Sequence, residues 1–368
     1  MKKTAYTADK LFTGDRWVKG QALLVQDGVI EKLVPVADVY KEADEVKHWE
    51  GAFMAPAFID IQIYGAHEKL LAVHPTTDAL QELQKYCGAG GATLCVPTVA
   101  TNTLDVFQQC IGAVKAYWSE GGKGIYGLHL EGPWIHVEKR GAHIAEYIHA
   151  PELEEVKALL QYGKGVIKII TLAPEVCSDE VIQYIKSEGI IISAGHSNAT
   201  YSQATAAFDN GITTATHLYN AMSSLQHRAP GMVGAIFNHP TVKCSVIPDG
   251  HHVDYAAIAI AKKIMGDRLF AITDAVTTTT SGPYPHQLAG DKYESAGILS
   301  GSALTMHKAF KNLVQHVYIS VEEALRMGSL YPAQVLGIEK RHGKLLPGYR
   351  AEAIVLSHQL DLLHVINA

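Results

Sequence analysis

Cysteine is scarce in this chain of 368 residues: five, at positions 87, 95, 110, 177 and 244, far apart and set in apolar runs. That spacing excludes a disulfide framework and a cysteine-rich zinc site, and unpaired thiols point to a reducing compartment, the cytoplasm. Charge is also sparse, at 18% of residues with a net −6. Lysine and arginine are scattered, so there is no basic footprint for nucleic acid and no patch for a membrane surface. No run approaches the ~18 apolar residues of a membrane-spanning helix, and the first residues carry no apolar leader. The expected ligand is therefore a small molecule, with neither nucleic acid nor membrane as a partner. What the chain does have is a 48% apolar content, enough for a large core. Its length suits one barrel-sized domain plus an accessory module of roughly 100 residues.

The two ends read as strands. Gln21–Gln26 and Val29–Leu33 flank an Asp27-Gly28 turn, a hairpin signature. Ala353–Leu356 follows the Gly343–Arg350 stretch with its glycines and proline. Residues 1–52 and 344–368 are accordingly expected to build one small β-sandwich domain, and 53–343 the catalytic domain. In between, apolar strands alternate with amphipathic helices. Val166–Leu172 precedes a helix over 179–187, capped by Ser178 and stopped by Gly189; Ile190–Ser193 precedes one over 201–210. Lys243–Ile247 precedes a third over 255–265, and Leu269–Thr273 is a further strand. The repetition predicts a parallel sheet with helical crossovers, closed as a (β/α)₈ TIM-like barrel, with an open doubly wound sheet as the competitor.

The position of the polar residues favours the barrel. Glu131, His196, His217, His252 and Asp274 each follow directly on an apolar strand, where barrel active sites are built. Two imidazoles and a carboxylate brought to one point make a hydrolytic metal site. Such a donor set without cysteine suits Zn²⁺ first, with Fe²⁺ or another divalent ion as the alternative, and three protein ligands leave room for water. Asp274 is suited to take a proton from that water and return it to a leaving group, although a Thr-Asp-Ala sequence is also compatible with a helix N-cap. His143 and Arg228 lie in loops on the same side. Arg228 is either an anion clamp or a solvated surface arginine. His252 is suited to supplement it, with His251 as the alternative.

These segments, in this order, resemble the sugar-phosphate deacetylases of the amidohydrolase superfamily. The resemblance rests on Pro56–Gln62, Leu128–Pro133, Gly141–His143, Gly195–Thr200, Thr216–Met222, Asp249–Tyr255, Thr273–Ala275, Leu299–Met306 and Tyr331–Ala333. It spans nearly the whole chain. It implies hydrolysis of the acetamido group of an amino-sugar 6-phosphate, with N-acetylglucosamine 6-phosphate as the expected substrate. The galacto epimer or another acylated amino-sugar phosphate is the alternative; another superfamily reaction and a non-catalytic sugar-phosphate-binding protein rank lower. By similarity, Glu131, His196 and His217 hold one divalent metal ion per subunit. Asp274 is the general base and His143 polarises the acetyl carbonyl. Ala142, Asn220, Ala221, the turn Asp249, Gly250, His251 and His252, and Leu299, Ser300 and Gly301 bind sugar and phosphate. The resemblance also implies a homodimer in which Arg228 reaches the partner's site.

The chain departs from the superfamily pattern after the first barrel strand. Many members carry a His-x-His pair there; this one has Gln62-Ile63-Tyr64, which removes two ligands and points to a single catalytic metal. Ala66–Leu71 replaces a glycine-rich stretch, and His67 or His74 is in range to approach the site.

Overall fold

In the computed structural model of the chain, residues 2–295 and 297–367 are described. Eight strands hydrogen-bond in chain order: β1 (Phe58–Ile63), β2 (Ala92–Ala100), β3 (Leu128–Glu131), β4 (Ile167–Leu172), β5 (Ile191–Ala194), β6 (Thr214–Ala215), β7 (Lys243–Val246) and β8 (Leu269–Ala271). Every pairing from β2 to β8 is parallel. The ring closes after β8, where Asp274 N donates to Gln62 O and Tyr64 N to Ala275 O, both at 2.9 Å.

The local signals for this pattern are those the sequence carries. The helix Asp179–Ser187 starts at Ser178, whose hydroxyl accepts from Val181 N, and the chain then turns through Gly189 at φ 74°. The helix Tyr201–Asp209 has a reciprocal capping box between Thr200 and Gln203. The helix Tyr255–Met265 starts at Asp254 and ends at Gly266, which takes φ 59°.

Below the strand ends the barrel interior is partly polar. His129 meets Thr171 Oγ1 at 2.7 Å, Thr171 meets Thr216 at 2.7 Å, and Ser193 meets Thr216 at 2.5 Å. Burial pushes the His129 imidazole down to about 4, so it packs as a neutral side chain. Between β8 and the helix Met306–Gln315 the chain adds a three-stranded antiparallel sheet, Gln287–Ala289, Lys292–Ser295 and Ile298–Ser302.

The chain ends form a second, seven-stranded sheet. Its order is Leu362–Asn367, Glu352–Ser357, Glu45–Pro56, Lys3–Phe12, Gln21–Gln26 and Val29–Pro35, with Trp17–Lys19 paired to Lys3–Phe12. All pairs are antiparallel except Lys3–Phe12 with Glu45–Pro56. The Asp27-Gly28 turn takes φ 51° and 73°, the left-handed pair that a tight hairpin needs. Leu11, Leu23, Ile30, Met54 and Val355 pack in one apolar cluster.

Contacts group the chain into two compact units, Met1–Ile59 with Cys87–Thr93 and Thr305–Ala368, and Asp60–Tyr86 with Leu94–Leu304. The site described below lies in the second. Among the described residues no helix is long and apolar enough to cross a membrane.

Candidate active site

The strand ends deliver the chemistry-bearing side chains. Glu131 is the last residue of β3; His196 and His217 stand two residues past β5 and β6, and Asp274 three past β8. His196, His217 and Asp274 take φ of 48°, 37° and 54°, the left-handed region that non-glycine residues avoid. Backbone bonds hold them there. His217 N donates to Ser245 Oγ at 2.7 Å, His136 N donates to His196 O at 2.9 Å, and Ser302 N donates to Asp274 O at 3.0 Å. After His196, Ser197 Oγ and Asn198 N both donate to the Glu175 carboxylate, at 2.7 and 2.6 Å. Before it, Gly195 is required for close approach: a Cβ there would lie 2.9 Å from both Thr171 Cγ2 and Thr216 Cβ.

Glu131 is the centre of the cluster. Its Oε1 lies 3.1 Å from His217 Nε2 and 3.4 Å from His196 Nε2, the two Nε2 atoms are 3.1 Å apart, and Oε2 lies 3.2 Å from His143 Nε2. All four side chains are buried. Burial raises the Glu131 pKa, but His196, His143 and His217 more than reverse this and hold it well below the ordinary carboxylate range. Burial, with His143 adding to it, pushes His196 down to about 4. For His217 the lowering by burial is overcome by the bond and charge of Glu131, so its pKa is raised. Burial, then the charge of Glu131, raises Asp274 against the opposing pull of His217.

The tautomers follow from the partners. His196 Nδ1 donates to Lys139 O at 2.9 Å, which leaves a lone pair on Nε2. His143 Nδ1 accepts from Thr101 N at 3.3 Å and meets Thr101 Oγ1 at 2.7 Å, so its proton sits on Nε2 and faces the cluster. His217 Nδ1 is buried with no hydrogen-bond partner among the described residues.

This donor set fits a metal ion. Ligands of a tetrahedral ion at ~2.0–2.1 Å lie about 3.3 Å apart, and the distances of 3.1, 3.1 and 3.4 Å within Glu131, His196 and His217 match that spacing. Glu131, His143 and His196 form a second such group, their ligand atoms within 4.8 Å of one another. The two groups share Glu131 and His196. The proton on His143 Nε2 makes that residue a donor rather than a ligand, which favours His217 as the third.

One cavity collects most residues singled out in the sequence. Tyr64, Glu131, Ala142, His143, His196, His217, Asn220, Ala221, His252, Asp274, Leu299, Ser300 and Gly301 all line it. Gln62 stands behind, donating through Nε2 to Glu131 Oε1 at 2.8 Å and to the Tyr64 hydroxyl at 3.0 Å. Asp249 supports His252, accepting from its Nδ1 at 2.6 Å and its N at 2.8 Å. Gly250 adjoins Asp249 in the turn, at φ 79°. His251 pairs instead with Asp291 at 2.7 Å, and His67 with Glu82 at 2.9 Å. His74 is not among the lining residues. Arg228 lies outside this cavity, on the exposed stretch 224–229, and lines a separate surface cleft with Lys139 and Asn198. No helix begins at Asp274.

Several residues escaped the sequence reading. Tyr284 and His286 line the cavity from the loop before the three-stranded sheet, and His286 Nδ1 meets Ser300 Oγ at 2.9 Å. Nothing marked them, because they end no strand. Asp60 did carry a signal, a carboxylate inside the apolar run Phe58-Ile59-Asp60-Ile61. It accepts from Thr273 Oγ1 at 2.5 Å and Thr273 N at 3.3 Å, directly before Asp274.

Residues 53–367 match the amidohydrolase family. The chain is 35% identical to the N-acetylglucosamine-6-phosphate deacetylase of Homo sapiens over 97% of its own length and 90% of that protein. It is 30% identical to the N-acetylgalactosamine-6-phosphate deacetylase of Escherichia coli O157:H7, over 97% of this chain and 96% of the other. The crystal structure of N-acetylglucosamine-6-phosphate deacetylase from Pasteurella multocida superposes with a TM-score of 0.93 at 32% identity, covering 99% of this chain and 98% of that one. With a closed parallel barrel and a histidine-carboxylate cluster at its strand ends, the chain belongs to the amidohydrolase family.

Proposed function

We propose that this protein hydrolyses the acetamido bond of N-acetylglucosamine 6-phosphate, giving glucosamine 6-phosphate and acetate. The observation that carries the reading is the convergence of Glu131, three imidazoles and Asp274 on one cavity, in a chain similar over nearly its full length to deacetylases of this chemistry.

Glu131, His196 and His217 would hold the metal ion, Zn²⁺ by the nitrogen-and-carboxylate donor set. When bound, such an ion lowers the pKa of a water molecule towards neutrality and draws electron density from an acyl carbonyl. Asp274 takes a proton from the attacking water and returns it to the amide nitrogen, so that the new C–O bond forms, the C–N bond breaks and the amine leaves neutral. His143 donates a hydrogen bond from its Nε2–H to the carbonyl oxygen as charge develops there, and keeps the proton. Gln62 keeps Glu131 turned towards the two histidines. His252, oriented by Asp249, faces the sugar phosphate together with the backbone of Asn220 and Ala221.

Arg228 supplies a planar fork suited to phosphate but lies outside its own cavity. Its exposure supports a homodimer in which it completes the partner's site. None of the five cysteines is joined in a disulfide, in keeping with the cytoplasm.

The test is acetate release from N-acetylglucosamine 6-phosphate by metal-quantified protein, with the galacto epimer and the unphosphorylated sugar in parallel. Fastest release from the first substrate is expected. Faster release from the epimer would reassign the sugar, and no release from any of the three despite bound metal would overturn the deacetylase reading.

A further inference from the structure

Two carboxylates, Glu131 and Asp274, are buried in the same cavity, and a single phenol reaches both. The Tyr64 hydroxyl donates to Glu131 Oε2, and its oxygen lies 3.3 Å from Asp274 Oδ1. Gln62 Nε2 donates to that oxygen at 3.0 Å and to Glu131 Oε1 at 2.8 Å. Two acidic groups sharing one desolvated cleft are an invitation to a cation. Here β1 and the residue that follows it answer with hydrogen-bond donors: the Gln62 amide N–H₂ and the Tyr64 phenolic O–H both point at Glu131.

We propose that the Tyr64 side chain occupies the place a second cation would need between Glu131 and Asp274, so that the site takes one metal ion, and that its hydrogen bond holds Glu131 in the orientation that binds it. The inference rests on the metal reading given above. A cation bridging the two carboxylates must sit ~2.0–2.2 Å from an oxygen of each. The phenolic oxygen, within hydrogen-bond distance of both, already fills that space, and the aromatic ring behind it is fixed by burial. The division of labour on Glu131 follows. Tyr64 and His143 satisfy Oε2, while Oε1 accepts from Gln62 and faces His196 and His217. Tyr64 is thus a positioning residue for the metal ligand and a plug for the neighbouring position.

The experiment is metal stoichiometry and affinity, read without turnover. Apoprotein is titrated with Co²⁺ by calorimetry and the dialysed product is counted by elemental analysis, for wild type, Tyr64→Phe and Tyr64→His. Wild type is expected to saturate at one ion per chain in excess Co²⁺. Tyr64→Phe keeps the ring and loses the donor, so its first ion should bind ~10- to 100-fold more weakly, as when a ligand loses its supporting hydrogen bond. Tyr64→His frees the space and adds a nitrogen, so a second ion should bind, with magnetic coupling in the Co²⁺ spectrum. Two ions in wild type, or Tyr64→Phe binding as tightly as wild type, would overturn the proposal; these two tests stand even if Tyr64→His does not fold. A folded Tyr64→His that still takes one ion would also overturn it. Wild type that binds no ion would overturn the metal reading itself.

Discussion

Asp274 is held at φ 54° with its carboxylate buried, and it shares that backbone region with His196 and His217. A left-handed backbone costs a non-glycine residue ~1–2 kcal/mol, and such strain persists only where the surroundings over-determine it. At each of these positions the bonds just described do so, and the effect is to turn the side chain from the strand direction into the cavity. Asparagine tolerates the same backbone and nearly the same shape. Asp274→Asn is therefore expected to keep its fold and metal content while kcat falls by ~10²- to 10⁴-fold, the usual worth of general acid-base catalysis. Steady-state kinetics on metal-quantified protein will tell; a near-normal rate removes Asp274 from the mechanism.

At the scale of elements, the seam between β1 and the segment after β8 contains Asp60, a buried carboxyl. Burial pushes its pKa up from the ordinary value of 3.8 to about 7, against the bonds it accepts from Thr273 and Gln62. Below the unfolded value both states carry the proton and the seam is at its most stable. As the pH rises from about 4 through about 7 the unfolded chain releases a proton that the folded chain keeps, so stability is lost across that window. Asp60→Asn should lack this slope and gain on wild type by on the order of 2–4 kcal/mol between pH 4 and pH 7 in urea unfolding. A constant difference across the range would mean that Asp60 stays ionised in the fold. The same seam marks the limit of what sequence could reveal. The helix Asp179–Ser187 with its Ser178 cap, the helix Tyr255–Met265 between Asp254 and Gly266, and the Asp27-Gly28 hairpin were legible, because caps and turns are local chemistry. Glu131, His196, His217 and Asp274 were legible as strand ends because position along the chain implies position on the barrel rim. The contact of Tyr64 with two carboxylates, the Asp60 seam and the arrival of His286 from the loop before the added sheet were not, since each depends on which distant segments a closed ring brings together.

For the whole molecule, Arg228 stands on an exposed loop, and the role proposed for it ties the oligomeric state to the chemistry. If Arg228 serves the partner's phosphate, Arg228→Ala should raise KM ~10- to 100-fold for the phosphorylated substrate, the worth of a charge-assisted bidentate bond, and leave an unphosphorylated analogue nearly unaffected. The protein should sediment as a dimer in both forms. Equal effects on the two substrates, or a monomer with normal KM, would exclude the role. The terminal sheet bears on a different process. Its strand Glu45–Pro56 lies between Lys3–Phe12 and Glu352–Ser357, and its buried Phe53, Met54 and Ala55 pair along the second of these. A ribosome delivers the first two of these strands early and the third only after every barrel strand has been made. For most of translation the nascent chain therefore carries an apolar strand with one edge open, the kind of seam that recruits neighbouring polypeptides or a chaperone. Truncation before residue 352 should leave every candidate site residue in the chain and yield a protein that aggregates, read by light scattering.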